Sequence, residues 1–197
     1  MQRNIALGVV ILAAASFAAP RAKADATFTA TLSGTNEVPP ELPTVSPATG
    51  SATVTLTGNI LTVNETFAGL IGGPASASTI QVAPVGSNGP AAVLFVGFPA
   101  ATSGTYTMTF DLTLDSTYIS SFLSGSGGTA ADAETALQAD LLAGQTYLNI
   151  HDATFPGGEI RGQLSQTQNV TPEPGTILLF GTGLLGMLGA ARRKRLS

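Results

Sequence analysis

Between Gly104 and Leu114 the chain reads GTYTMTFDLTL, in which Tyr106, Met108, Phe110, Leu112 and Leu114 alternate with Thr105, Thr107, Thr109, Asp111 and Thr113. A period of two places the two sets on opposite faces of a pleated strand, and a helix cannot separate them. The body opens in the same way with ATFTATL, where Phe28, Ala30 and Leu32 oppose Thr27, Thr29 and Thr31. SATVTLTGNILTV supplies a strand, a Gly58-Asn59 turn and a return strand. AAVLFVGF, Ala91 to Phe98, is a continuous apolar run after a turn at Gly86 to Pro90, the pattern expected of a central strand.

One segment departs from the pattern. TAADAETALQADLLAG offers Thr129 as N-cap, Asp132 three residues on, Leu137 and Leu141 four apart, and Gly144 as a stop. It predicts one short helix over about 131–143. With threonine-rich outer faces and turn signals roughly every ten residues, the body is expected to be all-β. The expected architecture is a single antiparallel β-sandwich of Greek-key type, immunoglobulin-like or Cu/Zn-dismutase-like in strand order, with that one helix.

The two ends belong to other machinery. Arg3 precedes an apolar stretch from Ile5 to Ala19, and Ala22-Lys23-Ala24 forms an A-x-A cleavage signal, so residues 1–24 read as a signal peptide. The C-terminus reads TPEPGTILLFGTGLLGMLGAARRKRLS. Residues 169–175 form a linker containing Pro172-Glu173-Pro174, residues 176–191 a hydrophobic transmembrane helix, and residues 192–197 a basic tail. Sixteen helical residues span about 24 Å against a hydrocarbon core of about 30 Å, enough with snorkelling. Arg192, Arg193, Lys194 and Arg195 act as a stop-transfer signal and place that end in the cytoplasm.

This three-part tail resembles the PEP-CTERM sorting signal of Gram-negative bacteria, although Thr171 stands where such signals often carry valine. The resemblance implies cleavage by an exosortase near Pro172-Glu173-Pro174. It also implies a precursor held in the inner membrane by its C-terminal helix, then a protein at the cell surface or outside the cell.

Charge excludes one class of partner. Of eight Lys and Arg, Arg3, Arg21 and Lys23 fall in the leader and four in the tail, which leaves Arg161. All twelve acidic residues lie between Asp25 and Glu173, so that stretch carries a formal charge of about −11. A body with one cation cannot neutralise a phosphate backbone, and nucleic acid is excluded. With no cysteine, the exported domain (25–168) depends on its core alone.

TYLNIHDATFPGGEIRGQL, Thr146 to Leu164, holds the rare residues. Tyr147, Asn149 and His151 share one strand face, and Glu159, Arg161 and Gln163 share another. His151 is expected to be a hydrogen-bonded strand residue closing a turn, with Asn149 locking a loop. Arg161 is expected to form a structural ion pair with Glu37 or Glu159, tying the first strand to the last. Glu37, Asn149, His151, Glu159 and Arg161 thus form a candidate structural polar cluster, and no residue is assigned a catalytic role. A lone imidazole without cysteine is a poor transition-metal site, and no D-x-D-x-D-G loop appears, so neither metal nor cofactor is expected.

The body also resembles the CHRD domain, named for chordin. ATFTATLSGTNEVPP matches that family's opening strand and Gly-x-x-Glu-Val-Pro-Pro turn, Gly50 and Phe67-Ala68-Gly69-Leu70 fall where expected, and YLNIHDATFPGGEIRGQL matches its close. The resemblance covers about 26–164 and implies an extracellular β-sandwich module without general enzymatic activity. Family members commonly carry His-Ile-His in a middle strand, where this chain has Thr79-Ile80-Gln81.

The function expected is therefore a non-enzymatic surface or matrix module associated with the envelope or a biofilm. Its partners would be the export machinery, an exosortase, the inner membrane, and exopolysaccharide or envelope proteins. Two weaker alternatives are a metal-dependent redox or hydrolytic enzyme and a calcium-dependent adhesion module.

Overall fold

Each alternating segment forms a strand in the computed structural model, which describes residues 25–39 and 45–167. The expected signal peptide, sorting linker, transmembrane helix and basic tail lie outside the described residues. The strands are β1 (Ala26–Ser33), β2 (Thr49–Thr57), β3 (Ile60–Ala68), β4 (Ala75–Val82), β5 (Ala91–Leu94), β6 (Gly104–Asp111), β7 (Thr146–Asp152), β8 (Ile160–Gln163) and β9 (Ser165–Thr167). They make one curled antiparallel sheet in the order β5-β4-β7-β8-β1-β2-β3-β6, with β9 alongside β1. The chain is thus mostly β, as expected. The described residues form one continuous sheet, bridged between β1 and β8 at Ser33 and Arg161.

Curling brings the two halves of the sheet onto one core. Phe28 and Leu32 of β1, Val54 of β2 and Leu61 of β3 lie on one half, and Ile80 of β4 and Ile150 of β7 on the other, all fully buried. Burying such side chains contributes about 1.5–3 kcal/mol each, which must carry a domain without disulfides.

The apolar run from Ala91 to Phe98 is not a central strand. Only Ala91–Leu94 is extended, and β5 is the end strand of the sheet. The chain then turns through Gly97, whose φ of 74° suits a residue without Cβ. Phe95 stacks on Tyr106 at 5.3 Å and Phe98 on Phe67 at 5.1 Å. The run is apolar because its aromatic rings plug the gap between the two end strands, β5 and β6.

Between β6 and β7 lie two helices, α1 (Ser120–Gly125) and α2 (Ala130–Leu142). The second is the expected helix, shifted by one residue. The first, at six residues, is too short to show a helical period, and its one buried side chain is Phe122. In α2, Ala133, Leu137 and Leu141 are fully buried. Thr129 caps this helix: its Oγ1 accepts from the Asp132 amide at 3.2 Å and donates to Asp132 Oδ2 at 2.7 Å. Thr129→Ala is expected to lower stability by about 1 kcal/mol, read as a lower urea midpoint at unchanged slope.

Register also orders the outer face. Across β1, β2, β3 and β6, Thr29, Thr53, Asn64 and Thr107 stand side by side. Thr27, Thr55, Thr62 and Thr109 form the row on one side of them, and Thr31, Ser51, Thr66 and Thr105 the row on the other.

Candidate functional site

The polar residues singled out on the late strands gather on the outward face of β7 and at its two ends. Pairing of Asn149 with Arg161 and of Tyr147 with Gln163 sets β8 against β7. On the other flank, Thr79 pairs with Asn149 and Gln81 with Tyr147. This face is covered rather than solvated: Tyr147 and Asn149 are buried and His151 is half-buried.

A hydrogen-bonded ladder runs along it. The carbonyl of Pro156 lies 3.1 Å from His151 Nδ1 and can only accept, so Nδ1 carries the proton. Nε2 then accepts from the Gln81 amide at 3.2 Å. The same amide donates to Thr79 Oγ1 at 3.1 Å, and Gln81 Oε1 accepts from Tyr147 OH at 2.5 Å. Tyr147 OH accepts in turn from the Gly89 amide at 3.2 Å. Burial pushes the His151 pKa down, and the Pro156 carbonyl and the Asp152 charge only partly oppose it. The imidazole is therefore neutral near pH 7 and holds the 153–158 turn through the Pro156 carbonyl.

Asn149 holds the same turn from inside, donating to the Gly157 carbonyl at 3.0 Å. Gly158 packs directly against it. Its φ is 129°, and a Cβ there would lie 2.1 Å from Asn149 Oδ1, so both the backbone and the space demand glycine.

Arg161 closes the other end of the ladder. Its guanidinium carbon lies 3.4 Å from the centre of the Tyr147 ring. Nη1 donates to Asn88 Oδ1 at 2.9 Å and Nη2 to the Ser87 carbonyl at 2.6 Å. Burial lowers its pKa, and Tyr147 and the Glu37 carboxylate raise it. Of the two partners proposed from sequence, Glu37 is the one whose charge bears on Arg161. Asn36 donates to the Arg161 carbonyl at 3.1 Å, so the segment after β1 is fixed to β8. A pocket of about 320 Å³ opens here between Thr35–Val38, Val85–Gly86 and Arg161.

Glu159 belongs to a different cluster. Oε1 accepts from Ser46 Oγ at 2.5 Å and the Ile71 amide at 2.7 Å, and Oε2 from the Gly72 amide at 3.2 Å. Burial, followed by the neighbouring Asp152 carboxyl group, pushes its pKa up. Asp152 Oδ1 accepts from the Thr154 and Phe155 amides, each at 2.8 Å. The pair ties the turns at 46, 71–72 and 153–155 together. Arg161 and Glu159 are thus separated by their partners, although two-residue spacing on one strand had placed them together.

Sequence reading did not single out Glu65. It is 1% exposed, on the core side of β3, where Oε2 accepts from Ser78 Oγ of β4 at 3.0 Å. Burial drives its pKa up to about 7, with the Ser78 hydrogen bond opposing. Its inward position was legible in the alternation of NETFA, but the partner across the core was not.

Thr79 and Gln81, the two positions at which the resemblance implied histidines, both face His151, with Thr79 Oγ1 at 3.5 Å and Gln81 Nε2 at 3.2 Å from its Nε2. Here they supply a hydroxyl and an amide. Among the described residues no group of three His, Cys, Asp or Glu side chains gathers to hold a metal ion, and no helix is long and apolar enough to cross a membrane.

Two family models match the chain: one described as CHRD domain over residues 28–164, and one described as PEP-CTERM protein-sorting motif over residues 170–195. No curated protein and no solved structure matches.

Proposed function

Since the chain belongs to the CHRD domain family and carries a PEP-CTERM sorting motif for exosortase-type processing, we propose that it is a non-enzymatic module of the cell surface or matrix. The sorting motif marks an exported protein of a Gram-negative-type envelope, anchored in a membrane before processing. The finer reading is that the mature body, from Asp25 to near Pro174, is delivered to the surface or a biofilm matrix. The curled sheet is read here as a sandwich whose two halves face each other across Glu65 and Ser78.

One observation carries this reading. β9 ends at Thr167, which pairs with Thr27 at the start of β1, and the sorting motif begins at residue 170. Both ends of the described domain therefore lie at one pole, which suits a body held by one C-terminal attachment. The polar groups of the late strands support a structural role. His151 is engaged at both ring nitrogens, the Arg161 guanidinium is committed to Asn88, Ser87 and Tyr147, and Glu159 is committed to Ser46 and two amides.

Native mass spectra of the protein purified from the envelope and the medium of its host test the proposal. The expected mass runs from Asp25 to near Pro174. A chain retaining Arg192 to Arg195 in both fractions would make the tail a permanent anchor, and a stoichiometric transition metal would overturn the non-enzymatic reading.

A further inference from the structure

The outer face of β1, β2, β3 and β6 carries a surface feature away from the ladder of β7 and the Glu159 cluster. It forms an open trough of about 750 Å³, walled by Ser165 and Gln163 on one side and by Thr105 and Thr107 on the other. Adjacent strands lie about 4.8 Å apart, so the central row Ser165-Thr29-Thr53-Asn64-Thr107 presents five polar groups over roughly 19 Å. The rows on either side repeat that spacing, about 6.8 Å away along the strands.

Two properties of this face define what it can hold. First, its exposed side chains are uncharged: the three rows contain Thr, Ser and Asn, on a body that carries eleven acidic groups between Asp25 and Glu159. Glu65, which also lines the trough, is 1% exposed with its carboxylate turned to Ser78 across the core. Second, its groups both donate and accept hydrogen bonds. Some satisfy each other, as Ser51 with Thr66 at 2.9 Å and Thr107 with Asn64 at 3.0 Å. Each β-branched threonine also sets a methyl group beside its hydroxyl on a stiff χ1, so polar and apolar spots alternate at fixed positions.

The geometry points to a binding face for an extended neutral polysaccharide. Such a chain offers dense hydroxyls that donate and accept, with C–H faces between them, and no charge for the acidic body to repel. Protein partners bind through aromatic, Met and Arg anchors, and the three rows have none. Nucleic acid and anionic polymers need cations that the face lacks. The absence of aromatic platforms predicts weak binding at one site, made effective by many copies on one polymer. This inference rests on the reading of the protein as an exported matrix module and names the matrix component that it meets.

The test uses the mature protein purified from its host, run through native gels cast with hydroxyethylcellulose, a neutral glucan, or with alginate, an anionic one. Retardation is expected in the neutral gel and not in alginate. Thr53→Val with Thr107→Val keeps the branched shape and removes two central hydroxyls, so it should weaken retardation at least five-fold at an unchanged melting temperature. Thr53→Ser with Thr107→Ser keeps the hydroxyls and should retain most of it. Absence of retardation, retardation only in alginate, or retardation indifferent to the valine pair would each overturn the inference, as would self-association that the valine pair abolishes. Any of these outcomes with the protein still exported and processed would leave the surface-module reading intact. Failure of export would instead sink that reading.

Discussion

Arg161→Met is expected to lower the stability of the domain by roughly 3–5 kcal/mol, the usual cost of stranding a buried charge. The side chain is 2% exposed and joins three pieces of chain that share no sequence proximity. It holds Ser87 and Asn88 of the loop before β5, covers the Tyr147 ring of β7, and bears on Glu37 after β1. Asn88 passes the connection on by donating to the Val38 carbonyl at 2.5 Å. Methionine fills much of the space but leaves the Ser87 carbonyl and the Asn88 amide oxygen without this donor, and the 5%-exposed Glu37 without its cation. Urea unfolding followed by far-ultraviolet circular dichroism reads the loss. Arg161→Lys keeps the charge without the planar fork and should fall between the two. Combining Arg161→Met with Glu37→Gln should cost less than Arg161→Met alone, because the stranded charge is gone. A loss below about 1 kcal/mol for Arg161→Met would show that the guanidinium does not hold these segments together.

The second large effect is a dependence on pH set by Glu65. Its folded-state pKa of about 7 lies above the 4.5 of an exposed glutamate, so folding favours the neutral acid. The stabilisation is fully present below about pH 4.5 and is lost as pH rises through 7, when the folded core must hold an anion. A difference of this size corresponds to roughly 3 kcal/mol. Glu159, also raised, works in the same direction, whereas His151, lowered by burial, works oppositely in mildly acidic solution. Glu65→Gln separates Glu65 from both: it keeps an acceptor for Ser78 and cannot ionise. Relative to the parent, Glu65→Gln should gain about 2.5 kcal/mol between pH 5 and pH 8, most of it between pH 5 and pH 7, the interval between the unfolded and folded pKa values. Stability profiles that run parallel across this range would refute the assignment.

Much of this protein is local and was legible residue by residue. Alternation specified most strands and which face of each turns inward, because side-chain direction in a strand depends only on residue parity. Thr129, Asp132 and Gly144 delimited α2 to within a residue, since capping is settled within one turn of helix. The late YLNIHD and GGEIRG stretches singled out Asn149, His151, Glu159 and Arg161, because a charge or imidazole in an otherwise apolar segment needs a partner, but nothing local singled out Glu65.

Which partner each residue found was decided by the curl of the sheet. Glu159 and Arg161, two residues apart at the start of β8, took different partners because the loops at 46, 71–72 and 87–88 reach them from distant parts of the chain. The run at 91–98 proved to be a plug, since continuous apolarity is the same whether a segment is covered by two neighbouring strands or fills an open end. Glu65 and Ser78 met only when the two halves closed over one core. The threonines of β1, β2, β3 and β6 show both levels at once: parity put them outward, and register alone turned them into an uncharged grid. Sequence settles direction and period because these depend on neighbours a few bonds away. Contact between residues 13 to 125 positions apart depends on where the whole sheet bends, and only the tertiary structure decides that.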